Sequence, residues 1–326
     1  ESLSKHKWEL YLDGLTSLSD AAARSLSKHN SIAVKLNNLP SSAAAILGEL
    51  TEGIAEQFLA DEDSVDLGEF TILSAAAAEG LSKHRGYLNL NGLRSLSDAA
   101  AESLSKHQGD HLSLNGLTSL SDAAAESLSK YKGMNLSLVG LTSLSDAAAE
   151  SLSKHKGQLS LNGLTSLSYA AAESLSKCKG DLYLNGLTSL SDAVAERLSK
   201  HKGRWLHLNG LTSLSDAAAE SLSEYEGFGF SFDSLSSLSD AAAESLSRQQ
   251  GGWFSLDGLT SLSDAAAESL SKHEGDELYL TGLKSLSDAA AESLSEYEGS
   301  WLSLRLDNLP ASAAAILRQH PSFQDG

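Results

Sequence analysis

The sequence contains a single cysteine, Cys178, among 326 residues. One cysteine excludes an internal disulfide framework and a metal site built from several thiolates. No apolar run approaches the ~18 residues that a membrane-spanning helix needs, so we expect no membrane insertion. Aromatic residues make up only 6% of the chain although hydrophobic residues make up 41%. The core must therefore be built mainly from leucine and alanine.

Basic residues are also scarce. The chain has 24 Lys and Arg residues against 43 Asp and Glu residues, a formal net charge of -19. A negative field of this size repels phosphate backbones, so nucleic acid is not an expected partner. No polybasic stretch is present that would bind anionic lipid.

What the chain has in abundance is one repeated unit, typified by residues 112–133. Its Leu-x-Leu element recurs in about thirteen units, and ten of the twelve steps between units are 23 or 24 residues long. The element starts at Leu10, Val34, Val65, Leu88, Leu112, Leu136, Leu159, Leu182, Leu206, Phe230, Phe254, Leu278 and Leu304. A fixed period of this length predicts a solenoid, in which each repeat forms one coil.

Within a unit the hydrophobic period changes halfway. Leu112 and Leu114 alternate with polar residues, which predicts a short strand with both leucines on its buried face. Asn115-Gly116 is turn chemistry, because these two residues tolerate positive φ. The following Ser-Asp-Ala-Ala-Ala-Glu-Ser-Leu segment predicts a helix with a serine cap, and Gly133 ends the unit. Each coil should therefore contain one strand and one helix, and only stacking can bury its leucines.

The Leu-x-Leu strand, its turn and the amphipathic helix resemble the leucine-rich-repeat family, in its helix-backed, bacterial-type form. The resemblance implies an α/β solenoid with a parallel β-sheet on the concave face and helices on the convex face. It also implies a binding function, usually toward proteins. Where that family usually places a ladder asparagine, this chain has leucine, and the Asn115-Gly116 turn is the candidate replacement. These leucines are Leu117, Leu141, Leu164 and Leu187.

We expect residues 1–326 to form a single leucine-rich-repeat solenoid. Residues 1–7 match the end of a repeat and not its beginning, which suggests a fragment of a longer array. Residues 48–63 form an acidic, helical insertion between coils. The segment starting at Asn38-Leu39-Pro40 recurs from Asn308, which favours a higher-order duplication over a terminal cap.

No catalytic residues are predicted, because the abundant serines occupy fixed repeat positions. Asp and Asn residues after the strands are interpreted as turn residues and not as calcium ligands. One position near the helix end holds seven of the ten histidines, but tyrosine, glutamine and Cys178 replace them in other coils. We interpret it as a semi-buried packing position, so the sequence predicts neither a metal nor a cofactor. The seven are His6, His29, His84, His107, His155, His201 and His273.

Aromatic residues are concentrated at the outward strand positions of a few consecutive coils. Trp205 and Trp253 occupy the same outward position two coils apart, with Gly229 between them, which predicts an open notch with two indole walls. Tyr183, His207, Ser231, Ser255 and Tyr279 should surround the notch with polar groups, and Asp181 and Glu277 should form negative rims. Outward strand positions vary freely from coil to coil, whereas exposed helix positions hardly change. Diversity confined to the strands is typical of ligand recognition.

The sequence therefore predicts a non-catalytic module that recognises a protein, peptide or glycan through its concave strand face. The alternative is a structural or spacer array used for surface display or scaffolding. Coils at cut ends would expose leucines, so we also expect end-to-end self-association.

Overall fold

The computed structural model describes residues 10–11, 15–27, 32–33, 39–40, 43 and 46–324. The chain divides into two compact units, Glu1–Leu141 and Thr142–Gly326. Both are built from parallel strands that alternate with short helices. No helix in the described part of the chain combines the length and apolar character that crossing a membrane requires.

The first unit contains strands β1–β7 and helices α1–α5. The strands are Leu10–Tyr11, Ile32–Ala33, Glu49–Leu50, Ile72–Leu73, Leu88–Asn89, His111–Ser113 and Asn135–Ser137. The helices are Asp20–Leu26, Glu52–Ala60, Ala75–Leu81, Asp98–Leu104 and Asp122–Leu128. Strand β1 pairs with β2, β3 pairs with β4, and β5, β6 and β7 pair in chain order, all in parallel.

The second unit contains strands β8–β14 and helices α6–α13. The strands are Gln158–Ser160, Leu182–Tyr183, Trp205–His207, Gly229–Ser231, Trp253–Ser255, Glu277–Tyr279 and Trp301–Ser303. The helices are Asp146–Leu152, Tyr169–Leu175, Asp192–Leu198, Asp216–Ser223, Asp240–Ser247, Asp264–Ser271, Asp288–Ser295 and Ala311–Leu317. The seven strands pair in parallel in chain order.

Most helices begin at a serine, and in six of the described coils this serine also bonds to the preceding coil. The Ser121 hydroxyl accepts the N–H of Ala124 at 3.0 Å and donates to Asp98 of the preceding coil at 2.5 Å. The first bond satisfies a backbone donor that no helical carbonyl can reach, and the second links neighbouring helix starts. Ser215 repeats both bonds, to Ala218 and Asp192.

The core of a coil is formed by the Leu-x-Leu pair, the leucine after the turn, two alanines and one helix leucine. In a representative coil Leu112, Leu114, Leu117, Ala124, Ala125 and Leu128 are all at most 1% exposed. Leu120, which lies just before the helix, is only half-buried. Burial of each leucine side chain contributes roughly 1.5–3 kcal/mol, so the coils are stable only in stacks.

The polar residue after most strands forms a hydrogen-bonded ladder between coils. The Asn91 side-chain oxygen accepts the N–H of Asn115 at 2.9 Å and the Ser113 hydroxyl at 2.6 Å. Asn185 likewise accepts the N–H of Asn209 at 3.0 Å. The Asn-Gly turn therefore supplies the backbone-bonding asparagine that the leucine at position 117 cannot supply.

Glycine is required in this turn for a different reason from the one predicted, which was a positive φ. No described residue, glycine included, has a positive φ. A Cβ at Gly116 would instead lie closer than 3.0 Å to the backbone oxygens of Asn91 and Leu93 in the preceding coil. Glycine is needed because the turns of neighbouring coils touch through their backbones.

Three of the predicted strands differ in the structure. Leu10 pairs with Ile32, whereas the predicted Val34 lies outside the described residues. No strand forms at Val65, where 3₁₀ turns at Glu62–Ser64 and Leu67–Glu69 replace it. The last strand begins before the predicted Leu304, because Leu302 pairs with Leu278. Trp301 therefore takes the outward strand position.

Within residues 48–63 a helix spans Glu52–Ala60. The strand before this helix, Glu49–Leu50, pairs with Ile72–Leu73, and the helix packs on Ala75–Leu81 of the next coil. At the other end of the chain, Ser322 accepts the N–H of Leu302 at 2.8 Å. Leu302 and Leu304 are 1% and 9% exposed, so the last strand's leucines are covered.

Candidate ligand-binding face

Six aromatic side chains form a continuous group on the outward side of strands β9–β13. We call this group the aromatic patch: Tyr183, Trp205, His207, Phe228, Trp253 and Tyr279. Each of them is half-buried. Parallel pairing places equivalent positions side by side, so that Trp205, Gly229 and Trp253 lie in one column and His207 in the next. Alternation along each strand directs these side chains away from the leucine core.

The rings of the patch contact one another in sequence. Tyr183 stacks on His207 with ring centroids 4.1 Å apart, and His207 lies 5.7 Å from Trp205. Trp205 meets Trp253 edge to face at 5.3 Å, and Trp253 lies 5.7 Å from Tyr279. Aromatic pairs at these separations favour each other beyond the area they bury. The rings hold one another in place and form a pre-organised apolar surface.

The predicted open notch between the two tryptophans does not exist. Gly229 is buried, and the indoles of Trp205 and Trp253 lean together over it, edge against face. A Cβ at Gly229 would lie closer than 3.0 Å to the Trp253 backbone oxygen. Glycine at this position thus permits close approach of the next coil, and the indoles themselves cover the space above it.

Phe228 extends the patch, although it was not among the predicted site residues. Its ring meets Trp205 edge to face at 4.9 Å. The guanidinium carbon of Arg204 lies 4.5 Å from the centre of the Phe228 ring, a cation–π contact. Both residues stand immediately before an outward strand position, and this placement is the signal that could have identified them.

Two of the polar residues predicted around the site are buried and already hydrogen-bonded within the sheet. Ser231 and Ser255 are 1% and 2% exposed. Their hydroxyls donate to ladder residues, Ser231 to Asn209 and Ser255 to Asp233. They hold the sheet together and do not offer hydroxyls to a ligand.

The two predicted rim carboxylates are present and half-buried. Asp181 accepts the backbone N–H of Trp205 at 3.2 Å, and Glu277 accepts the Tyr279 hydroxyl at 2.6 Å. Asp181 therefore bonds the backbone of one aromatic residue of the patch, and Glu277 holds the side chain of another. The hydrogen bond to Glu277 also raises the pKa of Tyr279.

The rings carry no charge at neutral pH. Burial lowers the pKa of His207, although the nearby carboxylates of Asp181 and Asp233 partly oppose this. Burial, assisted by Asp181, raises the pKa of Tyr183. The patch is therefore apolar at its centre and negatively charged at its margins.

Comparison with known proteins provides information on the fold of the chain. No protein-family model matches the sequence, and no curated protein matches it either. Among solved structures, the chain is similar to a chain in the structure of the Toll–Spatzle complex of Drosophila, with a TM-score of 0.50 and 14% sequence identity. The match covers 72% of this chain and 31% of that chain, so this chain spans about a third of its length.

The fold is an α/β leucine-rich-repeat solenoid. The fold class predicted from the repeat period is thus confirmed. Parallel strands that alternate with helices within each unit supply the same observation independently of the comparison.

In the described coils the histidine position is fully buried and not semi-buried, and His6 and His29 lie outside the described residues. His84, His107, His155, His201 and His273 are all at most 6% exposed. His107 stacks on Tyr131 of the next coil and His201 stacks on Tyr225, with ring centroids 5.9 and 6.0 Å apart. Burial lowers the pKa of His201 from 6.5 to about 4, and it also lowers the pKa of His107 and of His273. These three histidines are therefore neutral packing groups at pH 7. The described residues contain no group of three or more metal-binding side chains that could hold a metal ion.

Trp301 occupies an outward strand position that the predicted register of the last strand did not assign to it. It lies in the same column as Trp205 and Trp253, as the Cα partner of Glu277. Its side chain is 49% exposed, unlike the two half-buried tryptophans of the patch.

Proposed function

We propose that the chain is a non-catalytic recognition module that binds a protein, peptide or glycan through the aromatic patch. The observation that carries the proposal is the patch itself, six mutually contacting rings on the outward side of five neighbouring strands. Tryptophan and tyrosine supply large contact area at little entropic cost, and both are enriched among binding hot spots. The ligand-contacting residues proposed are Tyr183, Trp205, His207, Trp253 and Tyr279, with Asp181 and Glu277 at the margins and Gly229 beneath.

The distribution of sequence variation supports recognition at the strands. In the first and second units alike, helices repeat as Asp-Ala-Ala-Ala-Glu-Ser-Leu, with their aspartates and glutamates exposed. The first outward strand position differs in nearly every coil. Random drift on a solvated surface would have altered both sides.

The structural comparison is compatible with this role. The Drosophila protein is seen in a complex with Spatzle, so a solenoid of this fold takes part in protein association there. For the present chain we propose a protein, peptide or glycan as the binding partner. We also propose that it is a bacterial-type variant of the repeat and that it carries no catalytic activity.

The second candidate function is a spacer or display array. The near-identity of the helices and of the Ser–Asp ladder favours it, because a rod of uniform coils needs no binding face. The two functions differ in one consequence: a spacer should tolerate replacement of the patch, whereas a recognition module should not.

A selection experiment tests the proposal. A random peptide library and a glycan array are screened with the full chain and with the double variant Trp205→Ser/Trp253→Ser. The control is Tyr169→Asp, which removes an exposed helix-side tyrosine and restores the residue found in most other coils. We expect ligands retained by the wild type and by the control but lost by the double variant. Ligands that all three proteins retain equally would contradict recognition at the patch.

Two further partner predictions stand beside this one. Nucleic acid should not bind, because the chain carries a net charge of -19. End-to-end self-association stays a prediction, and the covered leucines of the last strand do not favour it at that end. Sedimentation at rising protein concentration in high salt measures it, and a monomer throughout would contradict it.

A further inference from the structure

One column of the strand face places a carboxylate between two tryptophans. Glu277 is the Cα partner of Trp253 on one side and of Trp301 on the other. We propose that this position binds the cationic side chain of an arginine or lysine residue in a partner peptide or protein. The proposal rests on the function proposed above and names the chemistry of part of its ligand.

Glu277 lies midway between the two tryptophans along the column. Two strand intervals of ~4.8 Å place the backbones of Trp253 and Trp301 roughly 10 Å apart. An arginine or lysine head group paired with Glu277 would therefore have a tryptophan on each neighbouring strand. An aromatic face attracts a cation that lies within ~6 Å of the ring centre.

The same column contains an internal comparison. Trp205 and Trp253 have the same two-strand separation, but Gly229 lies between them and their rings meet at 5.3 Å. Between Trp253 and Trp301 the intervening residue is Glu277 instead of glycine. Trp301 is 49% exposed.

The carboxylate of Glu277 is held in a fixed orientation. The Tyr279 hydroxyl donates to one carboxylate oxygen of Glu277 at 2.6 Å. A carboxylate has two oxygens and about four acceptor positions, so this bond orients the group without saturating it. A half-buried carboxylate beside apolar rings attracts a cation more strongly than one surrounded by water.

Charge complementarity selects the class of partner. The chain carries a net charge of -19, and Asp276 is exposed immediately before Glu277. The solenoid already pairs guanidinium groups with its rings, since Arg204 lies 4.5 Å from the Phe228 ring centre and Arg197 lies 4.9 Å from that of Tyr169. A basic segment of a partner would be attracted at long range and held here by one side chain.

Calorimetric titration of the full chain with hexa-arginine, in about 0.15 M salt to screen diffuse attraction, tests the proposal. The neutral citrulline hexapeptide is the matched ligand. The variants are Glu277→Gln, which keeps an acceptor for Tyr279, and Trp301→Leu. The control is Glu274→Gln, an exposed glutamate three positions away that makes the same change of charge. Circular dichroism verifies that each variant folds.

We expect Glu277→Gln and Trp301→Leu each to weaken hexa-arginine binding about tenfold or more, and Glu274→Gln to change it less than about twofold. The citrulline peptide should bind the wild type no better than hexa-arginine binds Glu277→Gln. Equal weakening by the two glutamate variants would show diffuse attraction and overturn the proposal. Absence of any hexa-arginine binding would overturn it as well.

The outcome separates this inference from the proposed function. If a selected ligand depends on Trp205 and Trp253 but not on Glu277, only the cation site fails. If no ligand depends on Trp205 or Trp253, recognition at the aromatic patch fails, whatever Glu277 does.

Discussion

Acid should destabilise the solenoid through its buried histidines, and His201 gives the clearest case. Its side chain is 3% exposed, and burial lowers its pKa from 6.5 to about 4. In the unfolded chain the same histidine takes up a proton near pH 6.5. Folding stability contributed by the neutral ring is therefore complete above pH 6.5 and is lost progressively as pH falls toward 4.

The size of the loss follows from the shift. Each pKa unit is worth 1.36 kcal/mol, so a lowering from 6.5 to about 4 corresponds to about 3 kcal/mol when the transition is complete. Glutamine provides a matched replacement, because Gln249 occupies the equivalent buried position and donates to the Tyr225 and Gly227 carbonyls at 3.3 Å.

Urea unfolding of the wild type and of His201→Gln, followed by circular dichroism from pH 7.5 to pH 4.5, measures the effect. The variant should gain on the wild type by about 2 to 3 kcal/mol between the two ends of this range. The reverse substitution Gln249→His should make the chain more sensitive to acid. Parallel pH profiles for the wild type and His201→Gln would refute this account of the buried position.

Two further predictions concern contacts between coils. Gly116→Ala should lower the melting temperature, because the added Cβ would strike backbone oxygens of the preceding coil. Gly53→Ala in helix α2 has open space around the added Cβ, so it should stabilise the chain by roughly 0.5–1 kcal/mol. Thermal melts of the two variants compare them directly, and equal effects would contradict the close-approach explanation. Asn185→Ala leaves the N–H of Asn209 without its acceptor and should cost about 1–3 kcal/mol in urea unfolding. A neutral effect would show that the ladder contributes nothing to stability.

Much of the coil could be predicted because local chemistry and global packing agree in it. Leu112 and Leu114 alternate with polar residues, and only a strand buries both. Ser121 starts the helix by bonding Ala124, as the sequence of the segment indicates. Repetition makes each of these signals visible many times over, which a single unit would not.

What escaped prediction depends on contacts between coils. Leu302, Leu304 and Leu306 form two overlapping Leu-x-Leu elements, and only pairing with Leu278 selects the first. The sequence also could not show that the indoles of Trp205 and Trp253 lean together, because side-chain rotamers depend on the surrounding packing.

The glycine and histidine positions illustrate the same limit. Gly116 is required by a neighbouring backbone and not by its own φ, which a reading of one unit cannot distinguish. His201 shares its position with tyrosine and glutamine in other coils, which indicated packing, but full burial became evident only from the stacked rings.

The most direct test of recognition by the strand face is a hydrogen-exchange footprint of a ligand selected with the wild-type chain. The account predicts slower amide exchange on binding in Asp181–Tyr183 and in strands β10–β13, with no change in helices α8–α12. It also predicts that Trp205→Ser/Trp253→Ser abolishes this protection. Protection confined to the helices, or protection at the strands that survives the double substitution, would contradict it.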